Sequence, residues 1–201
     1  PLLFSKLPNV KYDIQLQNEP KLMKNIFVST KVVDKFANDP LSHYEYEVKD
    51  GESVFKIAEL YYEDPNYWWV ILFFNDIRDY LGEWPKSSAE FVNYIDSVYN
   101  SQTEAELTPY YYYTPDKKIN LETYTTTKNW FDSNFEDPFE EAGNITPPFN
   151  DITYRKLISY KKYSLYEYEF DENEKNRVIK LLKNNILDDF IEEFENAINI
   201  L

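Results

Sequence analysis

Eight consecutive residues, Tyr67 to Phe74 (YWWVILFF), are all aromatic or aliphatic. A membrane-spanning helix needs roughly 20 mostly apolar residues, so this run must be buried in protein. A helix that is apolar on every side sits at the centre of a structure. The flanks delimit it: Asp64 can cap, Pro65 suits a first helical position because its missing N–H costs nothing there, and Asn75 marks the end. One face should fill a small core. The other should be covered by a third helix or by a neighbouring subunit.

Such a run has to be reconciled with an acidic chain. Thirty-six Asp and Glu oppose 21 Lys and Arg, a formal net charge of −15 over 201 residues. Polyanions are repelled by such a surface, so nucleic acid is not expected as a partner, and no segment is long enough for a membrane span. A hydrophobic content of 43%, with 18% aromatics, is enough for a real core in one or two modest domains. The abundance of Tyr, Asn, Lys, Ile and Phe has a second reading, since these residues have AT-rich codons.

Chemistry is sparsely provided. There is no Cys, hence neither a disulfide framework nor a thiolate metal site, and His43 is the single histidine. No G-x-S-x-G elbow accompanies it, and a surface or strand-edge position is expected. Only 3 Gly are present and Gly-rich phosphate loops are missing. The stretch DENEKN, from Asp171, offers oxygen ligands without the Gly and terminal Glu of a calcium loop. Among so many carboxylates a close pair carries no information. No cofactor, metal or enzymatic activity is expected. The start PLLFSKLPNVKYD has no apolar signal core, so cytoplasmic synthesis is the expectation.

Along the chain, VKYDIQLQ (10–17) alternates with period two and predicts a half-buried strand, and IFVSTKVVDKF (26–36) a second extended segment. These strands can pair within the domain or add to a partner's sheet. YEYEVKDGES (44–53) predicts a strand ending in a Gly turn, then a helix with Val54, Ile57, Ala58 and Tyr61 on one stripe and Lys56 and Glu59 outside. A turn at Trp84-Pro85 leads to a third helix with Phe91, Val92, Ile95 and Val98 on one face. From Ser101 to Asp151, Pro interrupts every pattern, with short strands expected around Tyr111 and Tyr124.

The ending, from Asp171 to Leu201, predicts one long helix with Asp171 as cap and Glu174 as the acid of a capping box. Val178, Leu182, Ile186, Phe190, Phe194 and Ile198 recur every fourth residue, and Ile179, Leu187 and Ile191 widen the face. The late acids Asp188, Asp189, Glu192, Glu193 and Glu195 oppose the helix dipole, which is easier to explain if a partner dictates their placement. Apolar anchors dominate binding at interface centres, so Phe190→Asp and Phe194→Asp are expected to hinder assembly more than folding.

YEYEVKDGESVFKIAELYYEDPNYWWVILFFND (44–76) resembles a LysM module: strand, DGES turn, helix, second helix ending at Asn. LysM modules bind N-acetylglucosamine polymers in a groove, which here would lie between Asp50 to Ser53 and the segment after Asn75. The usual Pro-Gly-x-x-Leu ending is replaced by IRDYLGEWPKSSAEF. A second resemblance includes that replacement. Tyr62, Asp64, Pro65, Tyr67, Trp68, Leu72, Asn75, Ile77, Asp79, Trp84 and Pro85, in that order, resemble the Tyr, Asp-Pro, Tyr-Trp, Leu, Asn, Ile, Asp and Trp-Pro signature of the baseplate wedge proteins of T-even-like contractile-tailed phages, the gene product fifty-three family. Weaker similarity extends to Phe4, Pro8, Tyr12 and Asp13, and to the ending.

That resemblance implies an α+β protein with a small LysM-like core, an extended N-terminal arm, an irregular middle and a long C-terminal helix. The expected divisions are 1–43, 44–100, 101–170 and 171–201. It implies a structural, non-enzymatic component of the virion tail baseplate that links wedge subunits into a ring around the central hub. The partners would be other baseplate wedge proteins, namely the wedge-core and sheath-initiating subunits, in a hetro-oligomeric assembly without nucleic acid or membrane. The candidate partner-binding residues are Phe4, Tyr12, Ile14, Trp69, Phe73, Trp84, Ile186, Phe190, Phe194 and Ile198. The alternative is a LysM-type protein binding peptidoglycan, weakened by the replaced groove ending.

Overall fold

The structure, a computed structural model, describes residues 9–12, 21–24, 36 and 38–199. It mixes helix and short strands in two compact units, one built from residues 1–87 and 174–201 and the other from 88–173.

In the first unit, β1 (Asn9–Tyr12) pairs antiparallel with β2 (Lys21–Lys24). The second strand therefore falls on KLMK, ahead of the expected segment. Residues 26–35 of that segment lie outside the described residues, and Phe36 is helical. The centre of the unit is β3 (His43–Glu47), followed by α1 (Val54–Tyr62) and α2 (Trp68–Phe74). Ser53 caps α1 by accepting the Lys56 N–H at 3.3 Å, and Lys56 pairs with Glu59 at 2.8 Å on the outer face. Asp64 caps a 3-10 turn, Pro65–Tyr67, accepting the Asn66 N–H at 2.8 Å, and this turn feeds α2.

The partner of β3 comes from the far end of the chain. β7 (Val178–Leu182) pairs with it antiparallel, His43 opposite Leu182 and Glu47 opposite Val178. This corrects the expectation of one continuous helix from Asp171. The apolar residues VIKLL satisfy a fourfold recurrence and a strand equally well, and the unpaired ribbon at β3 decides for the strand. Three elements replace the single helix: α9 (Leu165–Lys175), β7, and α10 (Asn184–Asn199). The capping box sits at Ser164 and Glu167, where Ser164 N–H donates to the Glu167 carboxylate at 2.7 Å and Ser164 Oγ accepts the Glu167 N–H at 3.2 Å. Asp171 is inside α9.

α10 supplies the lid that the apolar run requires. Phe194 packs on Trp69 and Phe73, both with ring centroids at 5.0 Å, and Phe190 meets Phe74 at 6.0 Å and Phe36 at 5.4 Å. The second face of α2 is thus covered by this chain's own last helix and by β7.

The second unit contains α4 (Ser88–Tyr99), α5 (Gln102–Leu107), a three-stranded sheet, and α6 (Leu121–Asn134), with short helical turns α7 (Pro138–Glu141) and α8 (Tyr154–Leu157). Strands β4 (Pro109–Tyr113), β5 (Lys118–Asn120) and β6 (Lys161–Ser164) are ordered β5-β4-β6, all antiparallel. Phe91 and Ile95 of α4 are buried, whereas Val92 and Val98 are exposed, so the expected face is narrower than four residues. Tyr111 lies in a strand as expected. Tyr124 lies in α6 instead, because Asn120 caps a helix there by accepting the Thr123 N–H at 2.7 Å, and its ring stacks on Tyr112 at 3.7 Å. The core of this unit gathers Ile119, Phe131, Ile152 and Leu157, with Asn150 donating to the buried Thr127 hydroxyl at 2.6 Å.

Candidate protein-binding surface

Among the described residues, the segment between Asn75 and Ser87 carries the most exposed large apolar side chain of the first unit, Leu81. It begins where Asn75 ends α2. The Asn75 amide donates to the Ile71 and Lys180 carbonyls at 2.8 Å each, and its oxygen accepts the Lys180 N–H at 2.7 Å, so one side chain joins the end of α2 to the outer edge of β7. Asp76 takes a left-handed φ of 53° and turns the chain. Arg78 pairs with Asp76 at 3.0 Å while its own N–H donates to the Glu83 carboxylate at 2.8 Å. Asp79 then caps the single helical turn α3 (Tyr80–Glu83), accepting the Leu81 N–H at 3.1 Å. A Cβ at Gly82 would approach the Asp79 carboxylate to 2.6 Å, so this cap requires a glycine or a displaced acid.

The outcome is a turn held by polar bonds that presents Leu81 at 84% exposure. Beside it lies a row of rings. Tyr80 contacts Trp84 at 5.5 Å and Phe55 at 6.2 Å, and Phe55 contacts Trp68 at 5.5 Å. Trp68 and Tyr80 are half-buried and Phe55 is 47% exposed. Aromatic rings with a projecting Leu on a fixed backbone lose little entropy on binding, the composition expected of a protein contact.

The same segment closes the place where the LysM resemblance would put a glycan groove. The buried Trp84 indole N–H donates to the Glu52 carbonyl at 3.0 Å, across the two would-be walls. A Cβ on Gly51 would stand 3.8 Å from Ser87 Cβ, and Arg177 donates to the Lys86 carbonyl at 3.0 Å. The walls are joined rather than open. Gly51 itself has φ 70°, which the turn requires.

The residues singled out from sequence distribute differently from that expectation. Trp69, Trp84, Phe190 and Phe194 are buried in the first unit's core, Phe190 at 0% exposure. The fourfold recurrence identifies an apolar face but not what covers it, and here α2 covers it. Phe73 and Ile186 are half-buried and keep some outward area. Phe4 and Ile14 lie outside the described residues, as do the side chains of Tyr12, at the end of β1, and Ile198, in the last turn of α10. Leu81 and Phe55 were missed. A Leu in a four-residue helix has no periodicity to reveal it, and Phe55 stands beside the buried stripe of α1.

His43 opens β3, half-buried, its Nδ1 3.0 Å from Ser42 Oγ and its ring 5.8 Å from Phe74. Among the described residues no cluster of three His, Asp or Glu side chains could hold a metal ion, and no helix is long and apolar enough to cross a membrane.

A family model described as base plate wedge protein 53 matches residues 2–197. No curated protein matches the chain.

Proposed function

Because the chain belongs to the base plate wedge protein 53 family, we propose that it is a structural clamp of a contractile phage tail that ties adjacent wedges into a closed ring around the central hub. Family membership places it in the tail baseplate, in association with other baseplate proteins. The finer reading assigns it contacts with wedge-core and sheath-initiating subunits. It is carried by one observation: Leu81, 84% exposed, is fixed in place by the Asp79 cap and the Arg78–Glu83 bond beside the Phe55, Trp68 and Tyr80 rings. Rigid apolar display of this kind serves a partner's pocket, because the ordering cost is met before binding. The glycan reading loses support, since Trp84 bridges its groove.

The test is co-expression of the chain with the other wedge proteins of the same tail, followed by affinity capture. Wild type should retain them. Leu81→Asp should lower the recovered complex about tenfold or more, as expected for a central anchor, with an unchanged thermal midpoint. A folded wild-type chain that captures none of the wedge proteins would overturn the reading.

A further inference from the structure

The two edges of the β3–β7 ribbon are treated differently. Val48 N–H donates to the Arg177 carbonyl at 2.8 Å and Lys183 N–H to the Ser42 carbonyl at 2.9 Å, which sets the alternation of the ladder. Tyr44 and Tyr46 face Leu181 and Ile179 as the hydrogen-bonded pairs, and His43, Glu45 and Glu47 turn their N–H and C=O groups outward. On β7 three of the corresponding outward groups are met by side chains, the Lys180 N–H and C=O by Asn75 and the Leu182 carbonyl by the Tyr62 hydroxyl at 3.0 Å. On β3, among the described residues, the outward groups of His43, Glu45 and Glu47 have no partner, and the side chains of Tyr44, Glu45 and Glu47 are exposed.

We propose that this outer edge of β3 is a docking strand, extended by a β-segment carrying Lys or Arg from a neighbouring baseplate protein. The backbone supplies the pairing groups and the pleat supplies the selectivity. An added strand places its side chains opposite Glu45 and Glu47 on one face and opposite Tyr44 and Tyr46 on the other. Cations fit the first face, and β-branched or aromatic residues the second. A second copy of this chain fits badly, because pairing β3 antiparallel with itself sets Glu45 against Glu45 or Glu47. The net charge of −15 points the same way. That the neighbour is a baseplate protein rests on the reading above; the open acidic edge does not.

Amide exchange of the whole chain, followed by NMR, tests the edge directly. The probes are a short synthetic peptide alternating lysine with valine, and its counterpart with glutamate in place of lysine. With the basic peptide, exchange at His43, Glu45 and Glu47 should slow about tenfold while Tyr44 and Tyr46 stay unchanged. The acidic peptide should have no effect. Glu45→Pro removes one outward N–H without touching the bonds to β7 and should abolish the slowing. Glu45→Lys with Glu47→Lys should exchange the preference between peptides. No slowing with the basic peptide, or slowing that survives Glu45→Pro, overturns the proposal and leaves the glutamates as guards against pairing. A wild-type chain that assembles with wedge proteins while Glu45→Pro assembles equally well also overturns it, with the wedge function standing. If the folded chain captures no wedge protein, the wedge function falls and the peptide result alone decides the edge.

Discussion

Asn75 does with one amide what a third strand would do for β7. Its two groups meet the backbone of Lys180, and its spare donor holds the last turn of α2 at Ile71. Asn75→Ala removes three bonds and leaves an outward N–H and C=O on β7 to water, so urea unfolding should show a loss of about 2 kcal/mol. Asn75→Asp should cost at least as much, because a carboxylate cannot donate to either carbonyl. Tyr46 gives a residue-scale prediction of another kind. Burial, then donation to the Glu52 carboxylate at 2.8 Å and the nearby negative charge, push its hydroxyl up to about 12 from 10.0. The folded chain then retains a proton that the unfolded chain loses. Stability is fully present below pH 10 and declines as pH rises through about 12. Burial raises the Tyr62 hydroxyl as well, so it adds to the same alkaline loss. Urea midpoints measured across that window should fall less steeply for Tyr46→Phe than for wild type.

At the scale of elements, the central fact is that β7 and α10 complete a core begun more than half the chain earlier. Leu181 and Phe190 are buried among residues of α1 and α2, so Leu181→Ala should cost about 2–5 kcal/mol in chemical denaturation. Phe190→Asp should leave the first unit unfolded by circular dichroism, since a carboxylate at 0% exposure would have no partner. The sequence alone led to the expectation that the substitution would hinder assembly more than folding; burial of the ring makes folding the first loss. What could be read from sequence was local. Asp64 caps, though a 3-10 turn ahead of α2, Asn75 ends α2, and Val54, Ile57 and Ala58 form the buried stripe of α1, with Tyr62 buried in place of the expected Tyr61; each depends on a few neighbouring residues. The signature residues prove to be wiring: Tyr62 reaches Leu182, Asp79 caps α3 and Trp84 reaches Glu52. What could not be read was long-range. VIKLL fits two periods, and only the unpaired β3 selects one; the exposure of Leu81 depends on a turn bound together by Arg78, Asp79 and Glu83.

At the scale of the molecule, residues 88–173 form a compact unit inserted in the chain between α3 and β7. Its two points of departure are joined within the first unit. The Arg177 guanidinium donates to the Lys86 carbonyl at 3.0 Å and to the Val48 carbonyl at 3.4 Å, and pairs with Glu174 at 2.7 Å, so the chain before and after the insertion is held at one place. Loop-closure entropy grows only slowly with length, so a short connection across that gap costs no more than the long one it replaces. Replacing residues 88–173 by a brief Gly/Ser linker should therefore leave a folded first unit. The amide spectrum should keep the β3–β7 pairing, and Leu81→Asp should remain neutral to its stability. A disordered product would mean that the inserted unit stabilises the first unit through more than its ends. Deletion of β7 and α10 should by contrast abolish folding with the inserted unit intact, because α2 would lose Phe190 and Phe194 and expose an eight-residue apolar run to water. The two deletions separate a region that is carried by the core from a region that is part of it.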